Sequence, residues 1–151
     1  MNEPSTAPPG AGTAHPAIDI HLEILLRLVE EQSGASAAIC LTTPGGIIAG
    51  HLVSTSSWVE RWRRVVSAAT GTEDRGDQMA DLAHAVQAST EQTEKDAAGG
   101  LHAFIHLLDV TFLSVPGEVT APLWRGRASD VSGWSLGTPS PTAHPTDATD
   151  N

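Results

Sequence analysis

The sequence predicts an α+β fold, with a small antiparallel β-structure of five short strands, a leading helix and a helical insertion after the second strand. Three observations predict it. Apolar residues from Ile20 to Val29 recur at helical spacing. Residues 38–53 and 101–136 alternate apolar with small or polar residues and are punctuated by Pro-Gly and Gly-Gly turns. Between those two blocks, residues 55–97 return to helical spacing.

The chain has 151 residues, which fits one domain with tails. Forty per cent of them are apolar, enough to build a core. Tyr is absent, so Ala, Val, Ile and Leu supply most of the burial, at roughly 1.5–3 kcal/mol for each large side chain. A net charge of −10 opposes sequence-independent binding to nucleic acid and to anionic lipid, both of which rest on Lys and Arg. Cys40 is the single cysteine, so neither an intrachain disulfide nor a Cys-based zinc site is expected. The first residues lack the charged and apolar pattern of a signal peptide, and no apolar run approaches the roughly 18 residues of a membrane span. These features lead to the expectation of a cytoplasmic protein.

Residues 1–17 are rich in Pro, Ala, Gly, Thr and Ser and read as a disordered tail. Asp19 is placed to cap a helix running to about Ser33, with Ile20, Leu22, Ile24, Leu25, Leu26, Leu28 and Val29 forming a broad apolar stripe and Gly34 ending it. Ala38 to Val53 reads as a hairpin turning at Pro44-Gly45-Gly46, and Gly50 within it marks a bend or a close backbone approach. Ser57 and Glu60 have capping-box spacing, ahead of a helix that gathers Trp58, Trp62, Val65, Val66 and Ala69 on one face. Gly71 to Gly76 is a loop. A second, acidic helix over 77–97 carries a narrow stripe of Met79, Leu82, Ala83 and Val86. Gly99-Gly100 break it.

Leu101 to Leu113 reads as one long strand with His102, Phe104, His106, Leu108, Val110 and Phe112 on a single face. Leu123 to Ala128 and Ser132 to Leu136 are two short strands around a turn at Ser129-Asp130, and residues 138–151 are a second polar tail. The domain therefore spans 18–137, with the insertion at 55–100.

No reactive constellation emerges. His102 and His106 would stand about 13 Å apart on a strand, too far to share a metal. His106 and Asp109 should point to opposite faces. Gly45-Gly46 is not followed by the Gly-Lys-Ser/Thr of a phosphate loop, and a Gly-x-Ser-x-Gly elbow is missing. No catalytic residue, cofactor or metal is predicted. Of the four Trp and two Phe residues, Phe104, Phe112, Trp124 and Trp134 all lie in the last third of the chain, around Trp124-Arg125-Gly126-Arg127. Trp and Arg are enriched at interface hot spots, so Trp124, Arg125, Arg127 and Trp134 are the candidate partner-binding residues. The other reading of the same residues is structural, with the Trp rings filling a core, Gly126 permitting a bend and the Arg residues pairing with Asp130 or Glu118.

Gly46-Ile47-Ile48-Ala49-Gly50-His51-Leu52 resembles the first half of the Sm-like signature, and Phe104 to Val110 with Leu123-Trp124-Arg125-Gly126 resembles its second half. That resemblance implies a small Sm/SH3-like antiparallel β-barrel and, as a function, a ring-forming or RNA-binding module. A broader resemblance spans residues 20–137. It runs from Pro44-Gly45-Gly46 through Phe104-Ile105-His106-Leu107 to Trp124-Arg125-Gly126-Arg127, Ser129, Val131, Gly133 and Ser135-Leu136-Gly137. This pattern is similar to the gas vesicle accessory protein GvpU family. It implies a non-catalytic protein that modulates gas vesicle assembly or contacts between vesicles. The implied partners are the vesicle shell, other gas vesicle proteins or further copies of the chain, with no nucleic acid and no membrane.

Overall fold

A computed structural model describes residues 18–70, 76–95 and 100–138. The expected tail at 1–17, the loop core at 71–75 and all but Thr138 of the second tail lie outside those residues, as do the side chains of Met79 and Ala83.

The chain forms an α+β structure with three α-helices and one five-stranded antiparallel sheet. Helix α1 (Ile20–Glu31) starts as expected at Asp19, whose carboxylate accepts the His21 and Leu22 amides at 2.7 and 3.2 Å. Those amides, Leu22 first, hold the Asp19 carboxyl below its ordinary range. The helix stops two residues before the expected end, and Gly34 follows with φ 78°. Strands β1 (Ser36–Thr43) and β2 (Gly46–Val53) make the predicted hairpin in full register, from Ser36 opposite Val53 to Thr43 opposite Gly46. Helices α2 (Thr55–Thr70) and α3 (Gly76–Lys95) are the predicted insertion. Strands β3 (Phe104–Phe112), β4 (Val119–Arg127) and β5 (Gly133–Leu136) follow, with a 3₁₀ turn at Ala128–Asp130 between the last two.

The cap of α2 differs from the prediction. Ser54, not Ser57, is the N-cap: its hydroxyl accepts the Ser57 amide at 3.2 Å, and its carbonyl accepts the Trp58 amide. Glu60 pairs forward with Arg64 instead of reaching back.

Strand β3 also departs from simple alternation. Asp109 has φ 49°, and the β2–β3 register slips there, so that Gly50 alone spans the stretch where β3 places Asp109 and Val110. The bulge exchanges the faces. Ile105 and Leu107 pack into the main core, and so do Val110 and Phe112, whereas Leu108 packs on the opposite side. The single face proposed for His102 to Phe112 is thus divided. Gly50 is required at this point, because a Cβ there would lie 3.0 Å from the Leu108 carbonyl and 3.1 Å from Val110 Cγ2. Pro122 falls between the Leu108–Leu123 and Val110–Ala121 pairs, on an edge strand, where its missing N–H costs little.

Helices cover both faces of the sheet. Leu22, Leu26 and Val29 of α1 close the main core over Ile39, Leu41, Ile48, Leu52, Ile105, Leu107 and Val110. Trp58, Val59 and Trp62 of α2 pack on Val53, Leu108 and Leu123 on the other side. The α1 stripe is narrower than predicted, since Ile20, Ile24 and Leu28 are exposed.

The sheet order is β4-β3-β2-β1-β5, and among the described residues no ladder joins β4 to β5. The expected closed barrel is therefore not seen; the sheet is open. It is nevertheless curled. Flat, its edge strands would stand about 19 Å apart, at about 4.8 Å per neighbour. The link from Arg127 to Gly133 would span that only if fully extended, at most ~3.3–3.6 Å per residue, and the 3₁₀ turn shortens it. Ala128 N–H bonds to the Ala103 carbonyl and Ser132 N–H to the Thr42 carbonyl, pinning the turn between β3 and β1.

Candidate partner-binding site

Strand β4 sets its side chains alternately on the two faces. Leu123 joins Trp58 and Val59, while Trp124 packs on the main core opposite Leu107. The Trp124 ring lies over Gly126, where a Cβ would fall 2.2 Å from its Cη2. Trp134 of β5 also packs, partly buried, against the main core, opposite Leu41. Arg127 is exposed opposite Phe104, and among the described residues no ion pair joins it to Asp130 or Glu118. The two arginines share the Leu123 face, as predicted. Trp124 and Trp134 rest on one cluster from strands at opposite ends of the sheet order.

Arg125 is committed inward. Its guanidinium carbon lies 3.5 Å from the Phe104 ring centroid, and its Nε donates to His106 Nε2 at 3.2 Å. Since Nε2 accepts, the neutral ring carries its proton on Nδ1, which faces Thr55 Oγ1 at 3.4 Å. That hydroxyl donates to Glu30 Oε1 at 2.5 Å, and the Thr55 amide donates to the same oxygen at 2.6 Å. A directional chain thus runs from the Arg125 cation through a buried imidazole to the Glu30 carboxylate. Burial, then the charges of Arg125 and His102, push the His106 pKa down to about 3, so the ring is neutral. Trp58 packs on it at 5.3 Å between centroids.

A second polar cluster had no signature in the sequence. Glu23 is 1% exposed on α1. Its Oε1 accepts Arg27 Nε at 2.7 Å and faces His102 Nδ1 at 3.0 Å, and its Oε2 accepts the His102 amide at 3.0 Å. Arg27 also donates to the Gly100 carbonyl at 3.1 Å. Burial pushes the Glu23 carboxyl upward, but the His102 amide, Arg27 and the His102 ring together outweigh it and hold the group below its ordinary value. The lone acid in an apolar stripe, Glu23 among Leu22, Ile24 and Leu26, was the signal available, and it resembles any solvated glutamate until its partner 79 residues away is placed.

Asp109 also departs from expectation. Its carboxylate reaches Arg61 of α2 at 3.5 Å, so it and His106 engage the same helix. The bulge turns it there. Beside these groups, a cleft of about 760 Å³ opens between the end of α1, the start of α2, α3 and residues 100–102, lined by Glu30, Thr55, Val59, Glu60, Leu101 and His102. Among the described residues no group of three His, Cys, Asp or Glu side chains could hold a metal, and no helix is long and apolar enough to cross a membrane.

The family model described as "Gas vesicle protein GvpU-like" matches residues 19–139, from the α1 cap past β5. The chain belongs to the gas vesicle GvpU-like family. Comparison with curated proteins and with solved structures gave no match. In this GvpU-like chain the final block, Trp124 to Gly137, forms β4, the 3₁₀ turn and β5, the part that joins the two edges of the sheet.

Proposed function

We propose that this GvpU-like protein is a non-catalytic gas vesicle accessory factor, acting in the cytoplasm by binding vesicle proteins and thereby tuning vesicle assembly or contacts between vesicles. The single observation that carries the reading is the family match across every described element. The chemistry supports it. His106 and Arg125, the pair nearest to an acid–base device, are turned onto each other, Thr55 and Phe104. The partner surface includes exposed Arg127, with Trp124 and Trp134 as the packed frame that presents it. Arg125 positions β4 from within.

The test is co-sedimentation of purified protein with intact gas vesicles. Wild type is expected to pellet with them, and Arg127→Glu to pellet less. Arg125→Glu is a poor probe of the surface, because it also breaks the His106 contact. If Arg127→Glu co-sediments like wild type, that residue leaves the proposed surface; if wild type stays in the supernatant, the function itself falls.

A second reading is favoured by one observation. Among the described residues, strands β4 and β5 leave both edges of the sheet without a partner, and Val119 and Leu136 on them are exposed. We read the curled sheet as an Sm/SH3-like barrel left open between those strands, and edge-to-edge addition of copies would build a ring. Light scattering separates a monomer from a ring, and binding of oligo-U or oligo-A at low salt would favour the RNA-binding form of this reading.

A further inference from the structure

We infer that β5 is a homodimer edge: two copies of this chain join β5 to β5 antiparallel about a two-fold axis at Ser135, and each covers the other's exposed Leu136. This dimer is independent of vesicle binding. It stands against a ring, since a two-fold contact uses one edge of each copy and closes on itself.

The backbone decides what this edge can take. The Gly137 amide donates to the Ala38 carbonyl, and Ser135 lies opposite Cys40, so these alternate residues turn their backbone groups to β1. Trp134 and Leu136 turn theirs to the open side, where no strand meets them among the described residues. An N–H and a C=O at each of two alternate positions match a further antiparallel strand.

Three observations select a second copy as that strand. With Ser135 on the axis, Trp134 of each copy faces Leu136 of the other, and each of the two pairs exchanges two backbone hydrogen bonds. Trp134 and Leu136 lie opposite Leu41 and Ile39, both main-core residues, so both side chains stand on the α1 face of the sheet. Directly opposed residues share a face, so Leu136 of one copy packs beside Trp134 of the other as an aromatic–aliphatic pair. The start of α1 is beside them, because the Asp19 carboxylate takes a hydrogen bond from the Trp134 side chain, and Ile20 follows Asp19. Leu136 at 64% and Ile20 at 60% are the two most exposed large apolar side chains among the described residues, and both stand at this contact.

Charge points the same way. At a net charge of −10 two copies repel, so they approach where charge is absent, and residues 131–138 carry none. The β4 edge differs. Pro122 removes a backbone donor there, and Arg125 and Arg127 place charge along the strand, which are devices that keep an edge unpaired.

The experiment uses the full chain. Sedimentation equilibrium of wild type is expected to show a monomer–dimer equilibrium with no larger species. Leu136→Lys, a change at an exposed position, is expected to raise the dimer dissociation constant at least about ten-fold, because each copy loses an apolar contact. Thr120→Lys on β4 is expected to leave it unchanged. Cross-linking reads the register. On the axis, Ser135 meets its own counterpart as a non-hydrogen-bonded pair, with Cα atoms about 4.5 Å apart and within disulfide reach. Ser135→Cys combined with Cys40→Ala, which removes the thiol opposite it in the same chain, is expected to give a covalent dimer under mild oxidation. Thr120→Cys with Cys40→Ala is expected to stay monomeric on a denaturing gel. A wild type that is monomeric at every concentration, species larger than a dimer, wild-type association by Leu136→Lys, or equal cross-linking from positions 135 and 120 would overturn the proposal. A wild type that pellets with vesicles yet stays monomeric leaves the accessory function standing and removes the dimer.

Discussion

At the scale of single residues, one close approach and two buried titratable groups govern this protein. The Trp124 ring occupies the space a Cβ at Gly126 would need. Gly126→Ala is expected to destabilise by about 1–3 kcal/mol, as overpacking does. The loss should shrink when Trp124 is also changed to Leu, a coupling that a double-mutant cycle in denaturant measures. His106 is neutral when folded, with its pKa pushed to about 3 by burial first and by Arg125 and His102 next, against an ordinary value of 6.5. The unfolded chain takes up that proton as pH drops below 6.5, so the stabilisation is complete above 6.5 and is lost as pH falls toward 3. Glu23, lowered from 4.5, acts in the same direction in a lower window: its contribution is present above 4.5 and is lost as pH falls below it. Denaturation midpoints between pH 4.5 and 6.5 should therefore flatten in His106→Gln and keep their slope in Glu23→Gln. The reverse pattern would mean that the ring titrates freely.

At the scale of elements, caps and bulges show where local pattern was enough. Asp19 was legible as a cap because it stands directly before the apolar stripe, and the hairpin was legible from Pro44-Gly45-Gly46 between alternating runs. The cap of α2 was misplaced by three residues, because the run Ser54-Thr55-Ser56-Ser57 offers several hydroxyls and only tertiary contact chooses among them. Glu30 reaches from α1 to the Thr55 amide, which makes Thr55 the first helical residue. Ser54→Ala is accordingly expected to cost about 1 kcal/mol of stability, against no more than ~0.5 kcal/mol for Ser57→Ala, in thermal or denaturant melts. Alternation along β3 failed at Asp109 because a one-residue bulge reverses every later side chain, and period-two reasoning has no term for it.

At the scale of the whole molecule, the chain carries a net charge of −10 and presents exposed apolar residues on α1 and on both edge strands. If the acidic charge spaces large particles, clustering of vesicles in the presence of this protein should rise as salt is added, because the screening length shortens from about 10 Å at 0.1 M to about 3 Å at 1 M. Turbidity or light scattering of vesicle suspensions across that range checks it, and a flat response would exclude charge as the mechanism.

The sequence by itself determined the element order, the insertion between the second and third strands, the first helix cap and membership of the gas vesicle family, since each depends on residues adjacent in the chain or on a linear motif. Only the tertiary structure decided that the sheet stays open, that α1 turns Ile20, Ile24 and Leu28 outward, and that Arg125 is held against Phe104 and His106 while Arg127 is exposed. It alone brought Glu23 to His102 and Glu30 to Thr55. Those outcomes depend on which groups meet across tens of residues of separation. A buried carboxylate and a solvated one look identical until the donor that satisfies it has been placed.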